Sequence, residues 1–333
     1  MMKKSVFLLG AVALLALSFT GWGWTEYRHF LRQPLDVPPG GAVLNVEPGM
    51  SARAVVTRVA EHGLTRSDWR WRVLLRSHPV VLQAGEYRLE PGITPAGLLG
   101  IMERGEVIHY RFTIVEGWTY RQLLEALTTN EILGNSLPGD PGAGIRIDTA
   151  MSADSMEGLF LPETYLYTRS DTATDVMQRA ADAMAVAVTE AWEMRLPGHP
   201  VKSPYELLIL ASIIEKETAL DAERARISGV FVRRLERGMR LQTDPTVIYG
   251  LGDSFDGDIR RADLVNDTPY NTYTRAGLPP TPIAMPGWAS LVAAALPEPG
   301  DALYFVADGE GGHTFSATLE EHQLGVDKLT GKN

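Results

Sequence analysis

The stretch from Ser203 to Ala219, SPYELLILASIIEKETA, constrains this chain more than any other. Leu207, Leu208, Ile209, Leu210, Ala211, Ile213 and Ile214 leave no polar face at helical spacing. A helix that is apolar all round must be buried, so other elements must pack on every side of it. Ser203 reads as its N-cap, Pro204 as its first helical residue and Glu206 as the reciprocal partner of a capping box. The last turn then carries Glu215, Lys216 and Glu217. A carboxyl beside a desolvated helix is biased towards its protonated form, which is the state a general acid needs.

The two acids lie about 200° apart around the helix. Relative to the face through Leu207, Ala211 and Ile214, Glu215 falls to one side and Glu217 to the other. Periodicity does not choose between them. Composition alone would make such a triplet a solvated helix end.

At the N-terminus, Lys3 and Lys4 precede Ser5 to Trp24, 20 residues without a charge. That length suits a membrane-spanning helix with the lysines on the cytoplasmic side and Trp22, Trp24 and Tyr27 at the far interface. No small-residue cleavage site closes the run, so an uncleaved signal anchor is expected rather than a removed signal peptide. Residues 25–41, with Pro34, Pro38, Pro39, Gly40 and Gly41, read as a short linker. Such a linker would keep the chemistry near the membrane.

Residues 42–106 read as a small unit. Val43 to Val46 alternates as a strand, Ser51 caps a helix, a second helix starts near Ser67, and Leu82 to Leu89 returns as a strand. Thr94-Pro95 opens one more helix. Residues 107–330 form the larger domain. It begins with a strand at Ile108 to Val115 and a capping box at Thr119 and Gln122. A strand-like LFLPETYLY at Leu159 to Tyr167 precedes a long amphipathic helix from Thr174 to about Met194. After the buried helix, Asp221 reads as the cap of another helix that stops at Gly238. Residues 239–287 are dense in Pro, Gly, Thr, Asn and Tyr and read as a long cleft-lining loop. Ala302 to Val306 and His313 to Ser316 form a hairpin around Gly309 to Gly312, and the end frays from Asp327. The fold class is therefore α+β.

Composition removes several functions. A formal net charge of -10 disfavours nucleic acid as a partner, and the absence of cysteine removes disulfides, thiol nucleophiles and cysteine metal sites. His313 has no second ligand at metal spacing, and Ser212 lacks the glycines of a nucleophile elbow. Gln242, Tyr249, Asn271 and Tyr273 suit a sugar, since amides bond hydroxyls and aromatic rings cover apolar sugar faces. Ordinary loop packing would place the same residues equally well.

Six ordered blocks carry a resemblance: VEGWTYRQLLEAL, GLFLPETYLY, ASIIEKETA, RLQTDPTVIYGLG, TPYNTYTRAGLPPTPIAMPG and YFVADGEGGHTFSATLEEH. Across roughly residues 108–326 the chain resembles the YceG-like (MltG) family of endolytic murein transglycosylases. The resemblance implies a single-pass inner-membrane protein with a LysM-like βααβ subdomain and a mixed α/β catalytic domain facing the periplasm. It implies non-hydrolytic cleavage of the β-1,4 bond between N-acetylmuramic acid and N-acetylglucosamine, leaving 1,6-anhydromuramoyl ends on nascent glycan strands. It places the catalytic acid on Glu217, with Glu215, Gln242, Asp244, Asn271, Tyr273 and His313 binding or supporting. Neither metal nor organic cofactor is implied. The implied partners are peptidoglycan and its synthases, the penicillin-binding proteins. A hydrolytic muramidase pairing Glu217 with Glu215 or Asp244, and a wall-binding scaffold, are the alternatives to test.

Overall fold

The structure, a computed structural model, describes residues 2–151 and 155–331, with the side chains of residues 2–9, 13 and 150 outside that set. The chain divides into two compact units. Unit 1 holds residues 1–110 and 166–170, and unit 2 holds residues 111–165 and 171–333.

Unit 1 begins with α1 (Met2–Arg32). β1 (Ala42–Val46), α2 (Ala52–Glu61), α3 (Trp69–Ser77), β2 (Gly85–Leu89) and α4 (Pro95–Glu103) follow. The strand–helix–helix–strand order is as expected, and the strands pair antiparallel with Ala42 opposite Leu89 and Val46 opposite Gly85. Alternation works as it should: Leu44 and Val46 are buried while Val43 and Asn45 are exposed. Ser51, Asp68 and Thr94 each accept a backbone N–H at the start of α2, α3 and α4. Satisfying those N–H groups fixes where each helix begins. Gly85 opens β2 at φ 143°, and a Cβ there would meet Val107 at 2.7 Å.

Residues 25–41 are not a linker throughout, because α1 stays helical to Arg32. The reason is packing. Tyr27 and Phe30, one helical turn apart, enter the unit 1 core, and Phe30 meets the buried Trp71 edge-on with ring centres 5.3 Å apart. Burying two aromatic rings outweighs the indifferent helix propensity of this segment. As for the expected span at residues 5–24, no helix among the described residues is long and apolar enough to cross a membrane. The side chains of residues 5–9 and 13 fall outside those residues.

The division between units falls inside β3 (Tyr110–Thr113) and β4 (Thr164–Tyr167), which pair as a second small sheet. Between them lies α5 (Tyr120–Thr129), which opens with the expected Thr119–Gln122 capping box. Strand structure in LFLPETYLY is confined to its last four residues. Leu159 and Phe160 are buried outside any strand, ahead of Pro162, which has no N–H for a ladder.

The rest of unit 2 is built on helices. α6 (Ala173–Met194), α7 (Pro204–Glu217), α8 (Asp221–Glu236), α9 (Asp244–Leu251), α10 (Arg261–Val265) and α11 (Trp288–Ala295) precede the hairpin β5 (Tyr304–Ala307) and β6 (His313–Ser316). α12 (Leu319–Thr330) closes the chain, so the end is helical where fraying was expected. α7 is the apolar helix of the sequence, and every residue from Leu207 to Ile214 is buried. α6, α8, α9 and α11 pack around it.

Local details differ from the sequence reading. Ser203 does cap α7, but Glu206 accepts the N–H of Lys202 instead of closing the box on Ser203. Asp221 is the first residue of α8 rather than its cap, and Thr218 Oγ1 accepts the N–H of Leu220 just before it. Residues 239–287 are not one long loop, since α9 and α10 interrupt them. Pro245 stands in the first turn of α9, where a missing N–H does no harm, so a proline of this Pro-rich segment starts a helix.

Candidate active site

α7 ends at Glu217 because Thr218 turns extended, at φ -145°. The last helical residue is thereby delivered to the floor of a cleft of about 430 Å³ in unit 2. Gln242, Asp244, Tyr273 and His313 line the same cleft, together with Arg234, Tyr304 and His322. Thr243 Oγ1 donates to Glu217 Oε1. Burial pushes the Glu217 carboxyl up to about 7. The charge of Asp244 adds to the rise, while the bond from Thr243 and the proximity of His313 oppose it. A group half protonated near neutrality can give a proton and take one back, as a single acid–base catalyst must.

Each neighbour is held in turn. Tyr273 OH donates to Asp244 Oδ1 at 2.5 Å, and burial followed by that carboxylate keeps the phenol firmly protonated. His313 Nδ1 lies 2.7 Å from Glu223 Oε2, while its backbone N–H donates to Glu223 Oε1 at 2.9 Å. Two contacts from one carboxylate fix both the ring and its backbone, and the ring is wedged edge-on against Phe305. Gln242 has φ 52° without being glycine, alone in this among the described residues. Strained backbone of this kind persists where the surroundings over-determine it. Here the Gln242 N–H donates to Thr272 O, and that of Thr243 donates to Thr272 Oγ1.

Arg234 shapes the cleft from behind. Its guanidinium donates to Leu303 O at 2.6 Å and to Leu241 O at 2.7 Å, and it lies 5.0 Å from the centre of the Tyr304 ring. It ties the hairpin side of the cleft to the segment that precedes α9. Tyr304 stacks on His322 at 5.3 Å and presents a flat aromatic wall, the kind of surface a sugar ring covers.

Three residues of the sequence set sit elsewhere. Glu215 turns away from the cleft. Its side chain is 6% exposed, accepts the Gly287 N–H at 3.0 Å and faces Arg224 at 3.5 Å. Arg224 also bonds Ser290 Oγ and Asp221. A carboxylate so occupied is a packing anchor for α11. Asn271 is buried, and its amide donates to the carbonyls of Asp263, Leu264 and Asn266 while its oxygen accepts the Tyr273 N–H at 2.8 Å. It positions Tyr273 and does not line the cleft. Tyr249 belongs to a neighbouring pocket, where its OH donates to Glu157 Oε2 at 3.0 Å.

Thr243, Glu223, Arg234, Tyr304 and His322 were not singled out in the sequence. Arg234 had a signal: at spacings of seven, four and three from Ile227, Val230 and Phe231, it stands on the apolar face of α8. Thr243 directly precedes Asp244 in the TDPT block. Glu223 had none, since an acid in the first turn of a helix is explained by the helix dipole alone. Among the described residues no three His, Cys, Asp or Glu side chains converge as a metal site.

Comparison with known proteins gives the family. The chain is 29% identical over 327 residues to a Bacillus subtilis protein named endolytic murein transglycosylase, across 92% of this chain and 90% of that one. A Streptococcus pneumoniae protein of the same name is 26% identical over 364 residues, and the match spans 95% of this chain but 63% of that longer protein. A crystal structure of a YceG-like protein from Listeria monocytogenes aligns with a TM-score of 0.52 at 28% identity, across 85% of this chain and 98% of that one. The model of the YceG-like family matches residues 44–328. The chain belongs to the YceG-like family.

Proposed function

We propose that this chain is an endolytic lytic transglycosylase that cleaves the glycan of peptidoglycan, with Glu217 as its one acid–base residue. The observation that carries the proposal is a carboxyl poised near pH 7 on the floor of a sugar-sized cleft, while the other acid of the same helix turn is bound into the packing. The protonated Glu217 donates to the glycosidic oxygen as the bond from C1 of the muramoyl residue breaks. Positive charge develops at C1 and the ring oxygen. The 6-hydroxyl of the same residue attacks C1, and ionised Glu217 takes its proton. The products are a 1,6-anhydromuramoyl end and a new N-acetylglucosamine end, with no water consumed. Asp244, held by Tyr273, supplies negative charge near the oxocarbenium-like centre, and Gln242 and the Tyr304 ring hold sugar.

A hydrolytic muramidase is the second reading, because Asp244 shares the cleft with Glu217 and a hydrolase needs two carboxyl groups. The two readings differ by one water in the mass of the product. Mass spectrometry of uncrosslinked glycan strands separates them, with the full-length chain and Glu217→Gln side by side. The expected result is anhydro ends with the wild type and none with Glu217→Gln. Reducing ends would overturn the transglycosylase reading, and undiminished cleavage by Glu217→Gln would overturn the assignment of the acid.

The finer parts of the proposal concern place and partners. Leu14, Leu15, Leu17, Phe19, Trp22 and Trp24 of α1 are exposed, which supports a single-pass anchor with the enzyme outside the inner membrane. The βααβ order of unit 1 supports a LysM-like subdomain. Action on nascent strands beside their penicillin-binding synthases would make cleavage the step that ends elongation.

A further inference from the structure

Charge is distributed unevenly along this acidic chain. Residues 1–110 contain twelve Lys or Arg and nine Asp or Glu, whereas residues 111–333 contain nineteen and thirty-two. Within the first part, the segment RSDWRWRVLLRS at residues 66–77 concentrates four arginines and two tryptophans. The structure sorts them. Trp71 is buried in the unit 1 core, and Arg70 is held by Asp68 and lies 5.0 Å from the centre of the Phe30 ring. Arg72 and Arg76 instead line a broad groove of about 790 Å³ between α2 and α3, joined by Arg53 from the first turn of α2. Trp69, 39% exposed, and Val73, 41% exposed, add an apolar rim. Asp68 is the one carboxylate among the groove's lining residues, and it is already paired with Arg70. No ion pair forms at Arg53, Arg72 or Arg76 among the described residues.

Position matters as much as charge. The start of α3 packs directly on the end of α1, through Trp71 against Phe30 and through the attraction between Arg70 and Glu26. Phe30 follows Trp24 by six helical residues, about 9 Å along the axis. The headgroup region beyond a ~30 Å hydrocarbon core is roughly 5–7.5 Å deep on each side. An arginine side chain reaches across what remains, its stem on apolar surface and its head among phosphates.

We propose that the α2–α3 face of unit 1, through Arg53, Arg72, Arg76, Trp69 and Val73, docks on anionic lipid headgroups beside the point where α1 leaves the bilayer. The inference rests on the reading of α1 as an anchor. It adds a second, electrostatic hold that fixes the tilt of unit 1 against the membrane. Each arginine near an anionic surface raises partitioning ~5-fold, so three give roughly a hundredfold. The effect is confined to about a Debye length, ~10 Å at 0.1 M salt.

The chain has no cysteine, so single-cysteine spin labels report cleanly. The full chain is reconstituted into vesicles of phosphatidylcholine, with or without phosphatidylglycerol, carrying a label at Val73→Cys or at Leu17→Cys. Oxygen accessibility is compared with that of a water-soluble nickel chelate. The Leu17 label is expected in lipid in both vesicles. The Val73 label is expected to gain oxygen and lose nickel accessibility only with phosphatidylglycerol. That gain should disappear in 1 M salt and in an Arg53→Gln, Arg72→Gln, Arg76→Gln variant. A Val73 label equally wet in both vesicles, with the Leu17 label in lipid, overturns the docking and leaves the anchor standing. A Leu17 label in water overturns the anchor and the docking with it. Shielding of the Val73 label by chitooligosaccharide but not by phosphatidylglycerol makes the face a glycan surface and also overturns the proposal.

Discussion

Replacing Thr243 by Val tests the electrostatics of the cleft with almost no change of shape. The side chain is buried and its Oγ1 donates to Glu217 Oε1, while the Thr243 backbone N–H keeps its own bond to Thr272. A hydrogen bond to an ionised group contributes about 1.5–3 kcal/mol, which is worth roughly one to two pKa units. That bond opposes the burial that raises Glu217 to about 7. Its loss moves the carboxyl to about 8, taking the lower figure. Only the protonated form starts the reaction, so kcat/KM falls as pH rises through the free-enzyme value. The assay is the initial rate of anhydro-end formation from glycan strands between about pH 4 and 10. The basic limb is expected to move up by about one unit, and the protonated share at pH 8 rises from roughly a tenth to a half. Poorer positioning of the carboxyl changes the plateau and not the midpoint, so the midpoint is the readout rather than the height. A limb that stays in place, or moves down, would refute the single-acid account. Asp244→Asn gives the complementary sign: the Asp244 charge raises Glu217, so its removal lowers the limb.

Two further predictions concern stability. Burial holds Glu157 protonated up to about 7 against an ordinary 4.5, so the unfolded chain releases this proton earlier as pH rises. Stability from this group is therefore undiminished below about 4.5, falls between there and about 7, and is flat above, for a total of about 3 kcal/mol. Glu157→Gln should remove that slope and raise the urea midpoint at pH 8 but not at pH 4, as followed by circular dichroism. Arg224→Ala strands Glu215, both side chains being under a tenth exposed, and should cost about 3–5 kcal/mol in denaturant titrations. Adding Glu215→Gln should recover part of the loss.

The legible parts of this chain were those governed by short-range rules. The α7 helix was legible because seven apolar residues in eight allow only burial, and the Thr119–Gln122 capping box because it is a local exchange of hydrogen bonds, although the same pattern at Ser203 and Glu206 closes only on one side. The choice of Glu217 as the proposed acid was not legible. Glu215 and Glu217 are equivalent by periodicity, and what separates them is the tertiary placement of Arg224 and Gly287 beside one and Thr243 beside the other. Family resemblance named Glu217 where spacing did not. Residues 25–32 were misread because Pro and Gly farther on suggested a linker, while the helix there depends on Tyr27 and Phe30 finding a core made by α3. Whether Asn271 binds or supports was not legible, because a buried amide and a ligand-binding amide have the same sequence; its bonds are those of a support.

The guanidinium of Arg234 gives the cleft a mechanical character. One rigid, planar group bolts Leu303, at the root of the hairpin, to Leu241, at the approach to α9. To pull these two parts of the cleft apart, both bonds must stretch together, since the atoms that make them cannot rotate independently. A flexible ammonium would act as a hinge where this group acts as a gusset. Arg234 thus adds stiffness across the gap to what the Glu223–His313 pair gives the hairpin, and helps to set the width offered to a sugar ring before any substrate arrives.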